Sequence, residues 1–222
     1  MKNGAFIKYI LLPIALISIT NSALAHSTVI DLEKMSKSDT VVLYLLTGFQ
    51  HIIPAGLDHI LFVLSLFLLS PQLKTILYQV TTFTIAHTIT LGLSMYQIVK
   101  VPSNIVEPLI SISIIYVALE NIFTQQLKKT RISIIFLFGL IHGMGFASAL
   151  SEIGLPQKAY FISLITFNIG IELGQITVIL IAYTLVAKWV SQKQLYRSRI
   201  VVPISSIICI VAVIWTVQRL FI

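Results

Sequence analysis

The chain has 222 residues, 57% of them hydrophobic and only 10% charged, with a mean hydropathy of +0.96. A soluble domain carries charge on roughly a quarter of its residues, so this composition excludes one and points to an integral membrane protein. The net charge of +7 does not indicate nucleic acid, because the Lys and Arg residues are scattered through short connecting segments and form no patch or arm.

The N-terminus begins with Lys2 and Lys8, continues with an apolar core from Tyr9 to Ile19 and a polar Thr20-Asn21-Ser22, and reaches small residues at Ala23-Leu24-Ala25. That order predicts a cleaved signal peptide over residues 1–25, with an uncleaved signal anchor as the alternative. Cleavage makes His26 the mature terminus of an extracytoplasmic segment, residues 26–39. There a free amine beside an imidazole is a candidate for N-terminal metal capture.

Six apolar blocks follow within residues 40–222, at about 40–70, 75–98, 104–126, 132–151, 158–187 and 200–221. Long runs without charge suit helices crossing about 30 Å of hydrocarbon, whereas a barrel shows alternating strands of about ten residues. The predicted fold is therefore all-α, a polytopic bundle of about six transmembrane helices. With the mature terminus outside, the cytoplasmic connections hold Lys74, Lys128, Lys129, Arg131, Lys188, Lys193, Arg197 and Arg199, and the external ones only Lys100 and Lys158, which obeys the positive-inside tendency. The connections are too short for a soluble domain, so the chemistry belongs inside the bilayer.

The first and fifth blocks are too long for one straight crossing. Pro54 and Gly56 predict a break in the first; in the fifth, Gly170 and Gly174 fit an interruption or a long tilted helix equally well. Lone Cys209 excludes an intrachain disulfide and a thiolate cluster.

Asp58, Glu107, Glu120 and Glu172 lie in or at the edges of these blocks, and an Asp at a helix centre costs roughly 2.5–3.5 kcal/mol on insertion scales. No block holds a clearly central Lys or Arg, so the expected partners are imidazoles, protons, hydroxyls, amides or bound cations. Of the five histidines, His51, His59, His87 and His142 all fall in apolar blocks. Asn168, Glu172 and Gln175 recur as one helical stripe, and Glu120-Asn121 add polar groups to the third block. A buried His or Asn bonded to a carbonyl is the ordinary reading of each residue taken singly. Together, four imidazoles with carboxylates and no thiolate suit a borderline divalent ion such as nickel, cobalt or zinc, or a proton relay.

At these residues the sequence resembles the HupE/UreJ family, in its divergent branch. The resemblance is carried by Gly48-Phe49-Gln50-His51-Ile52-Ile53-Pro54-Ala55-Gly56-Leu57-Asp58-His59, by Phe83-Thr84-Ile85-Ala86-His87-Thr88, and by Val106-Glu107-Pro108 with Leu119-Glu120-Asn121. Phe138-Gly139-Leu140-Ile141-His142-Gly143 and Phe167-Asn168-Ile169-Gly170-Ile171-Glu172 complete it. Ile52 follows His51 here, where hydrogenase-linked members look to carry proline. The resemblance implies a bacterial inner-membrane protein that moves nickel or cobalt, with His51, Asp58 and His59 matching the family's His and Asp-His metal motif.

The expected function is a secondary permease of a divalent transition-metal cation, nickel or cobalt, with zinc possible. Its metal set is His51, Asp58, His59, His87, His142 and Glu172, and its polar pathway is Glu107, Glu120, Asn121, Asn168 and Gln175. The metal is cargo, no organic cofactor or nucleic acid is expected, and the expected partners are the ion, the lipid bilayer and metalloenzyme accessory proteins. Two alternatives stand beside this non-enzymatic reading. One is an intramembrane zinc hydrolase using three histidines with Asp58 or Glu172 activating water; the other is an accessory protein that senses or delivers metal without transporting it.

Overall fold

The structure is a computed structural model, and it describes residues 35–153, 159–190 and 193–221. The expected signal peptide, residues 1–25, and His26 lie outside the described residues. Among the described residues 86% are helical and none is in a strand. Its helices are α1 (Lys37–Ile52), α2 (Leu57–Leu69), α3 (Leu73–Met95), α4 (Ser103–Phe123), α5 (Arg131–Ile153), α6 (Tyr160–Val190) and the short α7 (Lys193–Tyr196). A π turn at Arg197–Val201 leads α7 into α8 (Val202–Phe221).

Local chemistry explains several boundaries. Ser36 caps α1, its hydroxyl accepting from the Asp39 amide at 3.1 Å. The last carbonyls of α4 are met by one side chain: Arg197 donates to the backbone oxygens of Asn121, Ile122 and Thr124 at 3.3, 2.7 and 2.9 Å. A cation at a helix C-terminus is favoured both by those unsatisfied acceptors and by the helix dipole.

The break expected in the first block is present. The chain leaves α1 after Ile52, turns through Ile53–Gly56, and enters α2 at 68° to α1. Pro54 has no amide hydrogen to continue the ladder, which is why α1 ends beside it. The interruption left open in the fifth block is absent, since α6 runs unbroken for 31 residues. Gly170 serves close packing instead: a Cβ there would collide with the Leu45 carbonyl of α1, and one on Gly48 with the Phe167 carbonyl of α6.

Helices α3, α4, α6 (over Tyr160–Val186) and the stretch Gln194–Phe221 are each long and apolar enough to cross a membrane. The bent α1–α2 pair makes a fifth crossing if it counts as one span, and the apolar part of α5, Arg131–Ala147, is shorter. Length and composition thus support four or five of the six expected crossings. The tightest packings are α3 on α5, α1 on α6 and α4 on α8. They bury a core that includes Phe62, Leu66, Phe67, Phe83, Ile114 and Phe167.

Candidate functional site

Four imidazoles from four helices meet inside this bundle. His51 sits in the last turn of α1 and His59 in the first turn of α2, so the break at Ile53–Gly56 folds one block back and brings them together. Their ring centroids are 4.7 Å apart. His87, midway along α3, lies 5.7 Å from His59 and 6.3 Å from His51, and His142 of α5 lies 5.1 Å from His59. His87 comes near α5 because Gly143 has no side chain: a Cβ there would strike the His87 carbonyl and the Thr90 hydroxyl.

Ring nitrogens of His51, His59 and His87 all lie within 4.8 Å of one another. A tetrahedral ion with bonds of about 2.1 Å holds its donors about 3.4 Å apart, so small ring movements would close the three around one ion. His59, His87 and His142 are at most 5% exposed. The Nε2 atoms of all four histidines are buried without a hydrogen-bond partner among the described residues, a condition that normally costs a fold free energy.

The protonation pattern of two rings follows from their neighbours. Asn168 donates through Nδ2 to the Leu164 carbonyl at 2.8 Å, which turns its Oδ1 toward His87 Nδ1 at 3.2 Å. An amide oxygen only accepts, so His87 Nδ1 carries the hydrogen and Nε2 keeps its lone pair. His142 Nδ1 faces the Phe138 carbonyl at 2.8 Å with the same consequence. Such outer hydrogen bonds orient histidines in metal sites, and they leave two lone pairs in the interior.

Phenylalanines wall the rings. Phe146 lies 3.7 Å from His51 centroid to centroid, Phe83 4.9 Å and Phe62 5.3 Å from His142. The sequence reading missed this wall, although its signal was present: Phe62 follows His59 by three positions, Phe83 precedes His87 by four, and Phe138 and Phe146 flank His142 by four each. An apolar lining excludes water and strengthens electrostatic interactions within it.

The carboxylates are arranged differently from the expected metal set. Asp58 and Glu172 are not in the three-imidazole group. Asp58 Oδ2 accepts from Arg219 Nη2 at 2.8 Å, and Glu172 Oε1 accepts from the Thr81 hydroxyl at 2.5 Å. Glu107 is 52% exposed, with Oε2 4.0 Å from Arg219 Nε. Glu120 pairs with Arg131 at 2.5 Å, and Arg131 Nε donates to Gln79 Oε1 at 2.9 Å. The expectation that no Lys or Arg neutralises these acids is therefore corrected. Each arginine lies at a helix end in sequence, where it reads as a connecting or flanking charge. Arg131 packs against Gln79 of α3 and the C-terminal turn of α4, and Arg219 against the starts of α2 and α4. Of the remaining pathway residues, Gln175 Oε1 accepts from the Thr84 hydroxyl at 3.0 Å, so the stripe of Asn168, Glu172 and Gln175 faces α3. Asn121 donates to the Ser65 carbonyl at 2.8 Å and faces the Ser205 hydroxyl at 3.2 Å, away from the histidines.

Fold and site together define a membrane-embedded helical protein with a buried, imidazole-lined centre. A family model described as HupE / UreJ protein matches residues 26–219, and the chain belongs to that family. The family is associated with nickel and cobalt accessory membrane proteins and is not known for enzymes. No curated protein and no solved structure matches the chain.

Proposed function

We propose that the protein is a permease for a divalent transition-metal cation, nickel or cobalt, and that His51, His59 and His87 receive the ion, with His142 beside them. The observation that carries this reading is the convergence of three imidazoles, buried and unpartnered at Nε2, in a centre without thiolate. Neutral imidazole suits borderline divalent ions, and a set of nitrogen donors spread over several helices releases an ion more readily than a thiolate cage. The setting we assign is the bacterial inner membrane, with the signal peptide removed and the mature N-terminus outside.

Three histidines are also the ligand set of a hydrolytic zinc centre. The carboxylates that would activate water there have other partners, Asp58 on Arg219 and Glu172 on Thr81, which favours the cargo reading. The test is metal content and vesicle uptake of nickel, cobalt and zinc by the purified protein beside His59→Ala and His87→Ala. Each substitution is expected to abolish uptake and at least one bound equivalent. Uptake unchanged in both variants defeats the proposal, and metal-dependent hydrolysis without uptake moves the assignment to the zinc enzyme.

A further inference from the structure

Exposure falls in steps along one approach to the histidines. Glu107, near the start of α4, is 52% exposed; Asp58 and Arg219 are 25% and 22% exposed; His59, the residue after Asp58, is 5% exposed; and His87 is fully buried. A cation taking this approach would meet Glu107, then Asp58, then the imidazoles, and Arg219, bonded to Asp58, would lie across it. Its Nη2 holds Asp58 Oδ2 at 2.8 Å, its Nη1 donates to the Glu107 carbonyl at 3.2 Å, and its guanidinium lies 5.5 Å from the centre of the Trp215 ring.

Two details separate this pair from a static brace. Asp58 Oδ1 is buried and has no partner among the described residues, so the carboxylate is only half used by Arg219. A second carboxylate is already within reach, since Glu107 Oε2 lies 4.0 Å from Arg219 Nε. If Arg219 moves to Glu107, the charge lost from Asp58 is available to an incoming cation and no carboxylate is left uncompensated. Ion pairs at this exposure hold weakly and exchange partners at low cost.

We infer that Arg219 is a displaceable stopper on the approach to the histidine centre: it occupies Asp58 in the resting protein and shifts to Glu107 as a divalent cation takes Asp58, which then passes the ion to His59. This inference rests on the cation-permease reading. It assigns opposite tasks to the two halves of one ion pair. Arg219 repels the arriving ion, and Asp58 attracts it. A brace has no such asymmetry, because either substitution breaks the same contact.

The experiment is stopped-flow cobalt binding to the purified full chain in lipid nanodiscs at low ionic strength, followed by the visible absorption of bound cobalt(II). Arg219→Gln is expected to speed association about tenfold or more, the usual scale on which a fixed charge alters the encounter of an ion. Asp58→Asn is expected to slow it by a similar factor. Arg219→Lys keeps the charge without the fork and should fall between wild type and Arg219→Gln. If Arg219→Gln does not fold, Glu107→Gln replaces it, with slower association expected because the alternative berth is gone. Rates that move in the same direction in Arg219→Gln and Asp58→Asn, or an unchanged rate in Glu107→Gln, overturn the stopper while cobalt binding itself stands. Absence of cobalt binding in the wild-type protein removes the permease reading and the stopper together.

Discussion

Among the described residues, the Arg131–Glu120 and Arg219–Asp58 pairs differ in character, and both lie against helix α4. Glu120 near its C-terminal end holds Arg131; Glu107 near its N-terminal end, about 20 Å away at 1.5 Å per residue, stands beside the Arg219–Asp58 pair. The first pair is closed to solvent: its side chains are 3% and 8% exposed and Gln79 takes a second donor of the guanidinium, although Arg131 Nη2 is buried without a partner among the described residues. The second pair is 22% and 25% exposed, leaves one carboxylate oxygen unused, and adjoins His59. The two pairs thus differ in burial and in what lies beside them: the Arg131 pair joins α5 to α4 and α3, and the Arg219 pair has a second carboxylate, Glu107, 4.0 Å away.

The largest consequence of this contrast is expected at the closed pair. Glu120→Leu leaves the Arg131 guanidinium buried without its counter-charge, and removing one member of a buried pair typically costs about 3–5 kcal/mol. Thermal or denaturant unfolding in detergent should show a loss on that scale, insensitive to added salt. The double substitution Arg131→Met with Glu120→Leu should recover most of it, because two apolar side chains of similar volume need no desolvation. If the double variant is as unstable as the single one, Arg131 is held by something other than Glu120 and the contrast between the pairs weakens.

Asn168→Leu acts between the two pairs. It removes the acceptor from His87 Nδ1 but leaves the imidazole, and therefore unpins its orientation and tautomer. Loss of a hydrogen bond that orients a metal ligand commonly reduces metal affinity about 10- to 100-fold. Equilibrium titration with cobalt should show a weakening of that size, accompanied by a stability loss of about 1–3 kcal/mol from the buried donor left unpaired. Unchanged affinity would mean that His87 needs no outside support, or that it is not a ligand.

Much of this was legible in the sequence because ionisable residues are expensive in hydrocarbon. His51, His59, His87 and His142 stood out for that reason, and the structure brings their rings together. The break after Ile52 was legible from Pro54 and Gly56, and the shared stripe of Asn168, Glu172 and Gln175 from their helical spacing, while its facing toward α3 is seen only in the packing. Partnerships between helices were not legible. Spacing tells which residues share a face of one helix, and says nothing of which helix that face meets. The pairing of Asp58 with Arg219, near the end of α8, was therefore not visible. The packing of α8 along α4 and against α2 carries the Arg219 guanidinium to the start of α2. Gly170 illustrates the same limit: the residue type allowed a kink or a close contact, and the contact with α1 decided it.

The smallest effect on stability is expected at Arg219, and its smallness is what gives it diagnostic value. A partly exposed pair contributes up to about 1 kcal/mol and is screened by salt, with a Debye length of roughly 3 Å at 1 M against 10 Å at 0.1 M. Arg219→Gln should therefore lower the unfolding free energy by no more than about 1 kcal/mol at low ionic strength, and high salt should remove most of the difference. The same comparison made with Glu120→Leu should be nearly flat in salt. A large, salt-independent loss in Arg219→Gln would mean that this guanidinium is locked as firmly as that of Arg131. A residue locked in that way cannot leave Asp58 for Glu107 on the timescale of ion entry.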